Sequence, residues 1–188
     1  MPPDRLVTER LILRRFNRRD VGPLADAVHD SLPALNEWLP WAHPGYRRED
    51  AANYVRDSLE AWKDGRAHDY AIRRKDDIRR HLGNISIWPV SRLTRTGEIG
   101  YWIRSDENAK GLATEATAAV VRVGFEDLGY HKLVLRIAIG NKASERVAEK
   151  LGFSQEGVLR EELLIRGRWV DHTLFTMLDR EYPERADA

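Results

Sequence analysis

The sequence predicts a mixed α/β fold, one twisted and mainly antiparallel sheet flanked by helices. Three observations carry this reading. Strand-like runs that begin at Tyr70, His81 and Gly97 follow one another with short links, which favours antiparallel pairing. A strand, a helix and a second strand then fill residues 97–139, an order that demands a crossover and local parallel pairing. Near the C-terminus, residues 158–165 and 169–178 flank Arg166-Gly167-Arg168, a hairpin signal.

The length of 188 residues suits one domain, read here as residues 1–188 with a core over 6–178 and a polar tail over 179–188. Hydrophobic residues at 42% and charged residues at 32% exclude a disordered chain. With 31 basic and 30 acidic residues there is no electrostatic case for direct nucleic-acid binding. The absence of cysteine excludes disulfides, thiolate metal sites and a cysteine nucleophile. The six histidines show no ligand spacing, so no metal is expected. The opening MPPDRLVTERL has no apolar core, and no apolar run approaches the roughly 18 residues of a membrane helix. A cytoplasmic protein without membrane contact is expected.

Taken in order, residues 6–16 read as a first strand, in which Leu11 and Leu13 alternate with Arg10, Ile12 and Arg14. Asn17 and Asp20 mark the start of a short helix. Residues 31–46, SLPALNEWLPWAHPGY, carry three prolines and predict an irregular segment, since Pro40 and Pro44 forbid a continuous helix. In it Trp38 and Trp41 either pack over the end of the core or line a substrate cleft. Residues 50–64 form an amphipathic helix through Ala51, Val55, Leu59 and Trp62, with Gly65 at the C-cap position. After the three-stranded meander, Gly111 opens a helix whose buried stripe is Leu112, Ala116, Ala119, Val120 and Val123, and Gly129 ends it. The strand at 132–139 is apolar with little alternation, as expected when both faces are covered. Asn141 starts a helix over 142–151, closed by Gly152, and the tail PERADA reads as frayed.

The chemistry centres on residues 97–128. A strand passes through a short loop, NAKGLAT at 108–114, into a helix whose first N–H groups have no internal partners. Such a start attracts an anion. Gly111 and Ala113 let backbone approach a ligand, and Lys110 offers a charge. Neither GxxxxGK[ST] nor GxGxxG is present. Asp106-Glu107 reads as a solvated turn.

The loop stands in the run GEIGYWI…ENAKGLATEA, followed by NKASERVAEKLGF, then EG, then a hairpin with RGRWVDH; TERLILRRF and LPW precede it. With these motifs in this order, the chain resembles the GNAT acetyltransferase superfamily, in particular its Rim-type branch of ribosomal-protein N-terminal acetyltransferases. The resemblance covers nearly the whole chain. It implies a sheet splayed at its central strands, acetyl-CoA as donor and a primary amine as acceptor. In its terms Tyr101, Trp102 and Ile103 pair with the pantetheine arm, while Asn108, Ala109, Lys110, Gly111, Leu112, Ala113 and Thr114 bind the pyrophosphate. The family's loop begins with Arg or Gln. Asn108 stands there instead and supplies no charge, so the grip rests on backbone N–H groups and Lys110. Asn141 and Ser144 match the family's NxxS motif. Both are good helix caps, and the resemblance adds contact with the coenzyme arm for Asn141 and protonation of the leaving thiolate for Ser144.

The implied reaction is direct attack of a neutral amine on the thioester, without a covalent intermediate. Backbone N–H groups stabilise the oxyanion and a carboxylate or histidine, acting directly or through water, serves as base. Glu98 is the first candidate; Glu162 and Asp171-His172, on the last hairpin, follow it. The acid invoked in some Rim-type relatives aligns with Leu163, and one step along a strand reverses the face. The expected function is an acetyltransferase for a protein N-terminus of the ribosomal-protein type; the alternatives are an acetyltransferase for a small amine such as a polyamine or antibiotic-like compound, and a non-catalytic acyl-CoA-binding module. A monomer and a homodimer are both compatible with the sequence.

Overall fold

The computed structural model describes residues 1–182; PERADA lies outside the described residues. Among the described residues, twelve helices and strands occur in the order β1 Arg5–Val7, β2 Leu11–Arg15, α1 Val21–Trp38, α2 Arg48–Asp64, β3 His68–Arg74, β4 Gly83–Ser91, β5 Thr96–Ile103, α3 Leu112–Arg122, β6 Lys132–Ala138, α4 Lys142–Lys150, β7 Ser154–Ile165 and β8 Arg168–Leu178. The eight strands form one sheet in the order β1-β2-β3-β4-β5-β6-β8-β7. Only β5 and β6 are parallel, so the expected mixed, mainly antiparallel sheet is what the chain forms.

Two expectations are corrected. The first strand is a hairpin, because Thr8, Glu9 and Arg10 turn the chain between β1 and β2. The Thr8 hydroxyl accepts from the Leu11 N–H at 3.0 Å, a local side-chain bond that competes with extended backbone. The second correction is α1, which runs to Trp38 through Pro33 where an irregular segment is predicted from residue 31. Its buried face, Leu24, Ala25, Ala27, Val28, Ser31 and Leu35, crosses the proline, so burial outweighs the lost backbone bond. The helix stops where Leu39 turns extended, just before Pro40, as a residue preceding proline prefers.

Each face of the sheet buries its own helices. Leu11, Leu13, Tyr70, Ile72, Ile85, Ile87 and Ile99 share one core with Leu112, Ala116 and Val120 of α3. Phe16, Ala71 and Trp102 share the other with Leu24 and Val28 of α1 and Ala51 and Val55 of α2. Gly65, at φ +67°, caps α2, as its position in the sequence predicts. The last turn of α3 widens to a π-turn over Val123–Asp127. There a Cβ on Gly124 would come within 2.9 Å of the Leu133 methyls, so glycine lets the helix end lie against β6. Residues 179–181 form a short 3-10 turn, and Tyr182 is buried against Phe125 with ring centroids 5.3 Å apart.

The feature that positions the site is the junction of β5 and β6. They pair through Thr96↔Lys132, Gly97↔Leu133 and Glu98↔Val134 and no further. Beyond it β5 continues to Ile103 against β4, and β6 to Ala138 against β8. The sheet is thus open along residues 99–103, the splay that the resemblance implies.

Candidate active site

A cavity of about 430 Å³ lies at this opening. Its walls hold Tyr101, Trp102 and Ile103 from β5, Asn108, Ala109, Gly111, Leu112, Ala113 and Thr114 from the loop and α3, and Asn141 and Ser144 at the start of α4. Eleven of the twelve residues expected around a coenzyme therefore surround one space. The twelfth, Lys110, turns away: its Nζ donates to the Asp106 carbonyl and the Glu107 carboxylate, both at 3.0 Å.

The loop backbone is built for an anion. Ala109 and Gly111 have φ of +61° and +76°, and such left-handed turns gather N–H groups on one side. Glu115 is the first residue here whose N–H reaches a carbonyl one turn back, that of Gly111 at 3.1 Å. The N–H groups of Leu112, Ala113 and Thr114 are the ends that a helix start leaves unpaired. Two cations missing from the sequence reading, Arg146 and Lys150, line the same cavity with Ala143 and Val147. Their signal was present as an i, i+3, i+4, i+7 stripe on the helix that Asn141 opens.

Asn141 caps α4 by accepting from the Ser144 N–H at 3.2 Å. The Tyr101 hydroxyl is buried without a hydrogen-bond partner at normal distance and faces Ser144. Burial raises its pKa to about 12 against the smaller opposing effect of the Ser144 hydroxyl, so the phenol keeps its proton at neutral pH.

A second cavity, of about 470 Å³, opens on the α1–α2 side. It is walled by Trp41, Tyr46, Trp88 and Trp102, with Asp50, Asn53, Tyr54, Asn84 and Ser86 as polar groups and His43 alongside. Trp41 stands 5.9 Å from Tyr46 and 6.1 Å from Trp102, centroid to centroid. Asn84, Ser86 and Trp88 are every second residue of β4, alternating with the core residues Ile85 and Ile87; that alternation was readable, but its functional face was not. The two tryptophans expected to act together are separated, for Trp38 lines the first cavity and Trp41 the second. Leu39, Tyr101 and Trp102 border both.

The candidate bases lie elsewhere. Glu98 is buried, lines neither cavity and receives both Nε and Nη2 of Arg136 at 2.8 Å. Glu162 pairs with the Nη1 of the same arginine. Both carboxylates thus tie β5, β6 and β7 together. Asp171 accepts from the Glu161 N–H at 2.8 Å, and His172 is buried with Nδ1 3.0 Å from the Val170 carbonyl. Glu107, read as part of a solvated turn, is instead buried and paired with Arg80 at 2.8 Å and Lys110 at 3.0 Å.

An anion-binding helix start lies beside an opened sheet, with a second cavity across the same strand, a layout that suits a two-substrate transferase with an anionic donor. Residues 10–154 match the acetyltransferase (GNAT) domain. The [ribosomal protein uS5]-alanine N-acetyltransferase of Escherichia coli is 28% identical, over 93% of this chain and 90% of its own. The spermidine N(1)-acetyltransferase of Vibrio cholerae is also 28% identical, over 96% of this chain and all of its own length. The structure of Mycobacterium smegmatis RimJ in complex with CoA-disulfide superposes with a TM-score of 0.87 at 23% identity, covering 97% of this chain and 90% of that one. The chain belongs to the GNAT acetyltransferase family. It is an N-acetyltransferase whose donor is acetyl-CoA.

Proposed function

We propose that this enzyme acetylates the α-amine of a protein N-terminus, of the ribosomal-protein type, in the cytoplasm. The observation that carries the reading is the shared wall. Donor cavity and acceptor cavity meet at Tyr101 and Trp102 of β5, so two ligands entering from opposite sides come together at one strand. The names of relatives that act on ribosomal proteins support the acceptor class.

Acetyl-CoA supplies the activated acetyl group as a thioester. The residues present fit its phosphates: unpaired N–H groups of Leu112, Ala113 and Thr114, with Arg146 and Lys150 for charge, on the cavity wall. The free edge of β5 beyond Glu98 offers backbone N–H and C=O groups to an extended arm and an N–H to a developing oxyanion. Ser144 holds a hydroxyl proton for the leaving sulfur, and the Tyr101 hydroxyl faces it from the strand side. The acceptor nitrogen must shed one proton. Terminal amines titrate near 8, so a sizeable neutral fraction exists without a strong base, consistent with the placement of Glu98 and Glu162 outside the cavities.

A second reading, acetylation of a small amine, draws on the aromatic walls of the second cavity and the Asp50 carboxylate on its lining, which suit an organic cation. The spermidine enzyme among the relatives is in line with it. Thiol release from acetyl-CoA with a panel of N-terminal peptides, polyamines and aminoglycoside-like amines decides. Turnover confined to peptides supports the first reading; turnover confined to small amines replaces it with the second.

A further inference from the structure

The phosphate-facing loop is held from outside by a segment far away in sequence. The Glu115 carboxylate, in the first turn of α3, accepts from the Thr8 hydroxyl at 2.5 Å, the Arg10 N–H at 2.7 Å and the Arg10 Nε at 2.6 Å. The other arm of the guanidinium, Nη1, donates to the Lys110 carbonyl at 2.8 Å. Arg10 thus bridges the helix start and the loop, and a Cβ on Gly111 would lie 3.5 Å from its Nη2. The Glu115 side chain is only 15% exposed. Burial raises its pKa, but the bonds from Thr8 and Arg10 outweigh that and hold it below the usual carboxylate range.

We infer that Arg10 and Glu115 are positioning residues for the coenzyme, a latch by which the β1–β2 turn fixes the loop in its anion-binding shape. The inference rests on the placement of the coenzyme phosphates at residues 108–114. An ordinary exposed ion pair is worth little, but this one differs in two respects. Its carboxylate is triply bonded, and its guanidinium fixes the carbonyl of Lys110, which lies between the two left-handed residues Ala109 and Gly111. Left-handed backbone at alanine is costly and persists only where neighbours enforce it. The latch acts on the loop and not on the reacting atoms, so it governs KM for acetyl-CoA and leaves kcat at saturation alone.

Charge alone makes a contrary prediction, and this gives the test. If Arg10 and Glu115 act only as charges near the phosphates, Arg10→Met weakens CoA binding and Glu115→Gln strengthens it. If they form a latch, both weaken it, by about tenfold, and the double variant is no worse than either alone. Calorimetric titration with CoA, KM and kcat for acetyl-CoA, and thermal unfolding are read on the same samples. Arg10→Lys, which keeps the charge but has no second arm, binds CoA as weakly as Arg10→Met. Asp20→Asn, which breaks the pairs with Arg14 and Arg73 away from the loop, lowers Tm without moving the CoA Kd. Tighter or unchanged binding in Glu115→Gln overturns the latch, as does a Kd that tracks Tm across all variants. Failure of the wild-type protein to bind CoA overturns the coenzyme placement itself and the latch with it.

Discussion

Gly111 and Asn108 sit three residues apart in one loop and do different work. Asn108 is extended, and its side chain brings no charge. Gly111 is left-handed with φ +76°, where a β-branched side chain costs about 1–2 kcal/mol. A Cβ there would meet only the Arg10 Nη2, at 3.5 Å, so the penalty of the first side-chain carbon is conformational. Gly111→Val is expected to raise the acetyl-CoA Kd about tenfold or more, whereas Asn108→Ala stays within about twofold. Equal shifts in a binding titration would show that the side chain, not the backbone shape, holds the phosphates. The importance of Gly111 was legible because glycine before a helix has few other reasons. The neutralised Lys110 was not, since a lysine's partner depends on the fold that brings Glu107 inward.

At the scale of elements, helices were read well wherever a cap and an apolar stripe agreed, as in α2 with Gly65 and α4 with Asn141. Errors arose where a local rule met burial. An irregular segment is expected from residue 31 because of Pro40 and Pro44, yet the buried residues that flank Pro33 carry α1 up to Trp38, and TER reads as strand although Thr8 and Arg10 reach across to Glu115. Glu98 shows the same limit. On β5 it promised a base beside the cleft, but Arg136 on β6 claims it, and no sequence spacing announces a partner 38 residues away. Glu98→Gln is expected to weaken the β5–β6 junction by about 1–3 kcal/mol and to leave kcat within about threefold. A drop in kcat of a hundredfold or more with unchanged Tm would restore Glu98 as the base.

For the whole molecule, burial of ionisable groups fixes how stability responds to acid. His81 is buried between Phe16 and Trp102, with Nε2 2.6 Å from the Asn84 side-chain oxygen. Desolvation first, and the charge of Arg73 second, lower its pKa to about 3; desolvation also lowers that of His68. Unfolded histidine titrates near 6.5. Between these values the unfolded chain holds a proton that the folded one lacks, so stability falls as pH falls, by about 1.4 kcal/mol per pH unit for His81. For Asp20, burial raises the pKa, but its bonds to Arg14 and Asn17 and the charges of Arg14 and Arg73 lower it overall. Its contribution is present above the unfolded carboxylate value near 4 and is lost as pH falls through the lower folded value. Denaturant melts from pH 7 to 4 are expected to show stability falling steadily, and His81→Gln should flatten that fall by one proton. An unchanged slope would mean that His81 is charged in the folded protein.

The three-rung junction of β5 and β6 has one more consequence. A strand that leaves its neighbour exposes amides to solvent, and water exchanges their hydrogens at a rate set by the absence of a partner. In the ligand-free enzyme, amides of residues 99–103 that face the gap should exchange their hydrogens for deuterium quickly, although they lie in the centre of an eight-stranded sheet. Added CoA should protect them more than those of any strand that is paired on both sides. Protection spread evenly over the molecule would mean that the ligand stiffens the whole fold; protection confined to β5 would mean that the cosubstrate stands in for the missing strand.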